Sequence, residues 1–174
     1  MLSWHSNIGS DLASAVQGNP FWEPLAGSIS QNTASFAIHL AIFVEPYLQF
    51  VLSGQKTVES RFSVHRCVPY DRVRSGDVIL LKRTGGPILG VCQVANAWFY
   101  ELDPKSWQDI RREFTQALCA QDPTFWKARE RASFATLIRL QHVFAITPIR
   151  CTKRDRRGWV ILQEDPSQPH LVKV

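Results

Sequence analysis

A small mixed β-barrel of the α+β class with peripheral helices is the fold this sequence predicts, on three observations. The strand-like segments are short and separated by turn-rich connections. Too few helices lie between them to build repeated βαβ crossovers, which disfavours a doubly wound parallel sheet. The chain of 174 residues, 45% hydrophobic, is long enough for one domain with its own core and too short for two comfortable ones. The expected organisation is an N-terminal extension over residues 1–34, the barrel domain over 35–163 and a C-terminal tail over 164–174.

The extension mixes Ser, Asn, Gln and Gly with Trp4, Phe21 and Trp22, and Asn19-Pro20 and Glu23-Pro24 interrupt any helix there. A partly flexible segment is expected, with Phe21-Trp22 packing onto the barrel. Phe36 to Val44 reads as the first strand, and His39 within it as a satisfied core histidine. Pro46 to Ser53 reads as a helix, with proline at its first position and Gly54 just past its end. Tyr47, Phe50 and Val51 share an apolar face at helical spacing. Thr57 to Phe62 is the next strand; its alternation places Thr57, Glu59 and Arg61 on one face, with Lys56 just ahead.

A loop from Ser63 to Ser75 carries Arg66, Tyr70, Arg72 and Arg74 and closes on Gly76-Asp77. Val78 to Lys82 and Ile88 to Ala97 read as an antiparallel pair around Thr84-Gly85-Gly86-Pro87. Two helices open with the same device, Asp103 before Pro104 and Asp122 before Pro123, in which the aspartate caps and the proline occupies the first turn. Trp107, Ile110, Phe114, Ala117 and Leu118 make the first amphipathic; Phe125, Trp126 and Ala128 give the second a shorter apolar face. Phe134 to Phe144 and Trp159 to Leu162 are the last strands. Pro166 and Pro169 mark the tail.

Lysine and arginine outnumber aspartate and glutamate by 20 to 15, which favours an anionic partner. The surplus gathers in two loops. One holds Arg66, Arg72 and Arg74, the other Lys153, Arg154, Arg156 and Arg157. Such runs are commonly just solvated, yet two basic loops flanking one barrel suit a phosphate backbone, with Tyr47, Tyr70 and Trp159 as stacking planes. Cys67, Cys92, Cys119 and Cys151 are widely spaced without a C-x-x-C pair, which argues against a zinc ribbon or a disulfide scaffold. Cys92 lies in an apolar run and reads as a small core residue. His65 and Cys67 are two ligands without a matching pair, so neither metal nor cofactor is expected. No secretory signal and no apolar run of membrane-spanning length is visible, so a reduced, cytoplasmic setting without membrane contact is the expectation.

The polar cluster Lys56, Glu59 and Arg61 is the best candidate site. A lysine at a helix C-terminus next to a carboxylate is held charged, which suits a cationic clamp better than a base. Arg61 presents a planar fork for phosphate or for Glu59. Pairing of Glu59 with Arg61 alone and a joint role toward a ligand both remain open from the residues. Tyr47 fits either a core position or a cleft wall. Ser133 and Thr136 are hydroxyls at a strand entry, where a structural role is the usual one.

Gly54, Lys56, Glu59 and Arg61 reproduce the G-x-K-x-x-E-x-R signature of the ASCH domain (ASC-1 homology domain), a PUA-like β-barrel family. Glu45-Pro46-Tyr47 resembles that family's Q/E-P-Y/W element. The Gly76-Asp77 turn, the Ala135-Thr136-Leu137-Ile138 strand and the closing Trp159-Val160-Ile161-Leu162 segment also fall where such domains place theirs. The resemblance, of bacterial type, spans about residues 36–163. It implies a cleft lined by Tyr47, Lys56, Glu59 and Arg61 that takes single-stranded RNA or a nucleoside-like small molecule, with Thr57 and Ser133 as further ligand contacts.

Some bacterial members resemble single-strand ribonucleases, which would make Tyr47, Lys56 and Glu59, aided by a hydroxyl such as Ser133, the catalytic set. Others are amidohydrolases of acylated cytidine with a G-x-K-T-x-T-x-R pattern. Lys56, Thr57 and Arg61 match that pattern, Glu59 stands where its second threonine would be, and Glu101 and Glu113 lie near the position of its further acid. A protein-interaction adaptor using the basic loops on an acidic partner is a third reading.

Overall fold

The computed structural model describes residues 4–152 and 157–167, with residues 4–7 described by their backbone alone. Lys153, Arg154 and Arg156, and the distal tail with Pro169, lie outside the described residues. The chain forms α1 (Trp4–Ala15), α2 (Trp22–Ser30), β1 (Ile38–Phe43), α3 (Tyr47–Leu52), β2 (Val58–Ser63), β3 (Val78–Arg83) and β4 (Ile88–Glu101). It continues through α4 (Pro104–Phe114), α5 (Pro123–Lys127), β5 (Phe134–Ile149) and β6 (Trp159–Gln163).

The six strands make one sheet in the order β2-β5-β4-β3-β1-β6. β1 and β3 run parallel and the other pairs antiparallel, so the sheet is mixed. The long strands β4 and β5 pair almost end to end, with register shifts that bend them. The curl brings the two edge strands near each other without joining their backbones. The seam is instead spanned by Arg61 of β2, which donates from Nη2 to Ile42 O at 3.0 Å and from Nη1 to Gly158 O, just ahead of β6, at 3.1 Å. The result is a half-barrel with a side-chain clasp.

The described part of residues 1–34 is more helical than the sequence predicts. Glu23-Pro24 does not break α2, because Pro24 falls in the first turn, where its missing N–H has no helical partner to lose. Asn19 Oδ1 accepts from the N–H groups of Phe21 and Trp22, both at 3.0 Å, in the turn that leads into the helix. Trp22 is 1% exposed and donates its indole N–H to His142 O at 2.8 Å. Phe21 stacks on the His142 ring at 3.7 Å, in keeping with the expected packing of this pair. Leu12, Val16, Trp22, Ala26 and Ile29 join Ile38, Leu40, Val78, Leu80, Ile88 and Val91 in one core cluster. The described part of the segment is a structural layer, held by the hydrophobic effect.

Pro46 follows a cis peptide bond and caps α3 instead of occupying its first position. Leu48 and Val51 make the buried face of α3, leaving Tyr47 and Phe50 half-buried. Gly54 has φ +79°, the left-handed exit that glycine adopts without strain. Gly90 of β4 lets α3 settle on the sheet, since a Cβ there would stand 2.6 Å from Leu52 Cδ2. Asp103 and Ser106 form a reciprocal capping box on α4, and Asp122 caps α5 through Thr124 N–H, as the Asp-Pro pairs predict. His39 is a fully buried core residue between Asp77 (Nε2 to Oδ2, 3.1 Å) and the indole of Trp159 (3.1 Å). Burial also pushes the Cys92 thiol well above its ordinary range.

Candidate functional site at the barrel seam

A cavity of about 410 Å³ opens where the end of β1, the start of α3, strand β2 and the end of α5 converge. Tyr47, Lys56, Glu59 and Arg61 all line it, together with Phe43, Phe125 and Arg129.

Lys56 sits at its floor, 2% exposed. The turn after α3 aims it inward: its backbone N–H returns to Phe50 O at 2.8 Å. The ammonium donates to Val58 O at 2.8 Å and Leu118 O at 3.2 Å, and lies 3.4 Å from Glu59 Oε2. Those three contacts match its three donors. Burial draws the Lys56 pKa below its ordinary value, and the neighbouring Glu59 opposes that shift. The Tyr47 ring lies 5.7 Å from the same nitrogen.

Glu59 joins the two cations. Its other oxygen is 2.9 Å from Arg61 Nε, although that N–H is not aimed at it, so the contact is electrostatic and not a directed hydrogen bond. The Arg61 guanidinium is 5.2 Å from the rings of both Phe43 and Trp159. Arg129 faces it from the end of α5, its guanidinium 3.7 Å from the Phe125 ring and its Nη1 donating to Phe125 O at 2.7 Å. Partial burial lowers the Arg129 pKa, yet an arginine stays charged.

The other expected site residues are placed elsewhere. Thr57 is exposed and outside the cavity wall. Alternation from Thr57 fails because the strand starts at Val58, after a turn in which Ala117 O accepts from the N–H groups of both Thr57 (3.0 Å) and Val58 (3.1 Å). Ser133 is exposed at the far end of β2, its N–H bonded to Ser63 O at 2.9 Å, and does not line the cavity. Thr136 is buried in the core.

Among the basic residues, Arg66 pairs with Glu101 and covers the rings of Tyr70 and Phe134. Arg72 pairs with Glu164, and Arg74 N–H donates to Asp77. None of the three lines the seam cavity; Arg157 lines a neighbouring one. Tyr70 packs against Phe99 and Phe134, and Trp159 is buried with Arg61 over it, so neither offers an open stacking plane. Glu101 and Glu113 form surface ion pairs away from the cavity. No group of three or more His, Cys, Asp or Glu gathers among the described residues to hold a metal ion.

Arg129 and Phe125 are the functional candidates that sequence reasoning passes over. The available signal is their i,i+4 spacing, which places a cation beside a ring at the end of a short helix.

No family model matches the sequence, and no curated protein matches it significantly. The fold does match. The crystal structure of ASCH from Zymomonas mobilis superposes with a TM-score of 0.59 at 15% identity, covering 72% of this chain and 87% of that one. A tyrosine-to-phenylalanine variant of the Zymomonas mobilis protein gives 0.59 at 15% over 74% and 91%. A serine-to-alanine variant gives 0.57 at 14% over 74% and 89%. This chain therefore carries the fold of the Zymomonas mobilis ASCH structure, a mixed, barrel-like sheet with peripheral helices. None of its described helices is long and apolar enough to cross a membrane.

Proposed function

We propose, from the premise of an ASCH fold with a cation-lined aromatic cavity at its seam, that the protein binds single-stranded RNA or a nucleotide-like ligand there. The observation that carries this reading is the convergence of two guanidinium groups, Arg61 and Arg129, with the rings of Phe43, Tyr47, Phe62 and Phe125 around one cavity. Its volume falls within the range of small-molecule sites, about 300–1,000 Å³. Bases stack on aromatic faces and guanidinium planes, and arginine forks bind phosphate. RNA offers both a base to stack and a phosphate to pair.

The floor favours binding over proton transfer. The Lys56 donors are engaged by two carbonyls and a carboxylate, and Glu59 bridges two cations. Neither is a free acid or base in this arrangement. Glu59 also carries no hydroxyl to serve as an acyl-transfer nucleophile.

Fluorescence anisotropy with labelled single-stranded RNA of mixed sequence, titrated over a salt series, tests the proposal. Affinity should fall steeply with salt. Tyr47→Phe should retain most of it, and Tyr47→Ala should lose about 1–3 kcal/mol, the usual worth of one stacked base. Unchanged binding by folded Tyr47→Ala would move the site elsewhere. Mass spectrometry of RNA and acylated cytidine after incubation should reveal no product. A product that disappears with Lys56→Ala would replace the binding reading with an enzymatic one.

A further inference from the structure

We infer that the RNA site spans two consecutive nucleotides, the second seated in a neighbouring cavity floored by Lys82; this rests on the RNA-binding reading of the seam cavity. The neighbouring cavity, about 640 Å³, is lined by Lys82, Thr84, Gly86, Thr152 and Arg157 among others. It shares Ile42 and Val44 with the first. The two cavities therefore open on either side of one ridge at the end of β1.

Three features make the second cavity a continuation of the first. Val44, on the shared ridge, is 57% exposed, one of two large hydrophobic side chains so exposed among the described residues. An apolar side chain standing between two cavities is suited to wedge between consecutive bases, as apolar wedges do in nucleic-acid complexes. Next, the floor repeats the same device. Lys82 is 5% exposed, and its ammonium is held by the main-chain carbonyls of Arg83, at 3.2 Å, and Gly86. Lys56 is likewise held by the carbonyls of Val58 and Leu118. Finally, none of the described residues that line the second cavity is a carboxylate, and nearby Glu45 is engaged by Arg83 at 3.1 Å. Its described lining thus carries the cations Lys82 and Arg157 and is suited to the phosphodiester that links two nucleotides.

Isothermal titration with the four nucleoside 5′-monophosphates and the four matching homodinucleotides tests the inference. At least one dinucleotide should bind tenfold or more tightly than its monophosphate. Thr152→Glu places a negative charge on an exposed position that lines the second cavity alone. It should abolish that gain while leaving monophosphate affinity and melting temperature unchanged. Equal affinities for monomer and dimer, or a dinucleotide gain that survives Thr152→Glu, would overturn the second subsite and leave the first intact. Failure of every monophosphate and dinucleotide to bind would overturn both.

Discussion

Trp159 donates its indole N–H to Nδ1 of His39 at 3.1 Å. Tryptophan is a donor only, so Nδ1 must be the accepting nitrogen and the imidazole proton resides on Nε2, toward Asp77. The same indole lies 5.2 Å from the Arg61 guanidinium, which seats the cavity wall on a hydrogen-bonded core. Trp159→Phe would keep an aromatic ring under Arg61 and leave a buried acceptor unsatisfied. Urea unfolding should show a loss of about 1–3 kcal/mol. An unchanged midpoint with an unchanged slope would show that this bond contributes nothing.

Glu59 is largely buried between two cations, so removing its charge should be costly. Glu59→Gln leaves Lys56 and Arg61 facing each other, and the expected destabilisation is about 3–5 kcal/mol, the usual result of breaking a buried pair. Lys56→Met combined with Glu59→Gln should cost less than the sum of the two single changes, with a coupling of about 1 kcal/mol or more. Strict additivity in denaturant melts would refute the pairing.

Lys56 also sets a pH dependence. Burial holds its folded pKa below the ordinary 10.5. Between the folded value and 10.5 the unfolded chain binds more protons at this residue, so its contribution to stability rises with pH in that window. Below the window both states are protonated and the burial penalty is felt in full. The unfolding free energy of the wild type relative to Lys56→Met should therefore increase as pH is raised from neutral toward 10.5. A flat difference would mean that Lys56 titrates as it does in water.

Arg129 lines the cavity and makes no ion pair among the described residues, so Arg129→Ala should weaken RNA binding with little change in melting temperature. The slope of log affinity against log salt should fall by about one unit. Equal slopes for the two proteins in anisotropy titrations would exclude a phosphate contact.

Gly54 turns the chain so that Lys56 points inward. Gly54→Ala forces a side chain into φ +79°, at a cost of about 1–2 kcal/mol. Thermal unfolding should register that loss, whereas a wild-type melting temperature would show that the turn adapts.

Most of the fold was legible because its signals are local. Asp103 and Asp122 before prolines mark helix starts, Gly85-Gly86 marks the hairpin, and Gly54 marks a helix end. The seam cluster was half legible. Lys56, Glu59 and Arg61 sit within one turn and one strand, so spacing relates them. Arg129 joins them only through the packing of α5 against β2, which no local pattern records. Thr57 was misplaced for the same reason: the carbonyl that rotates it outward belongs to Ala117, distant in sequence. Pro24 misleads because a first-turn proline and a helix-breaking proline look alike until the helix start at Trp22 is known.

The clasp formed by Arg61 carries a consequence for anyone mutating this protein. Its guanidinium ties β2 to the carbonyls of Ile42 and Gly158, and it also forms part of the cavity wall. On the proposed reading, ligand occupancy and the union of the sheet's two margins would draw on one side chain and be thermodynamically linked. An Arg61 variant that loses affinity would report an unfastened margin and a missing cation together. The two can be told apart only by following amide exchange in β2 and β6 beside the binding curve, because a contact confined to the ligand would leave that exchange unaltered in the empty protein.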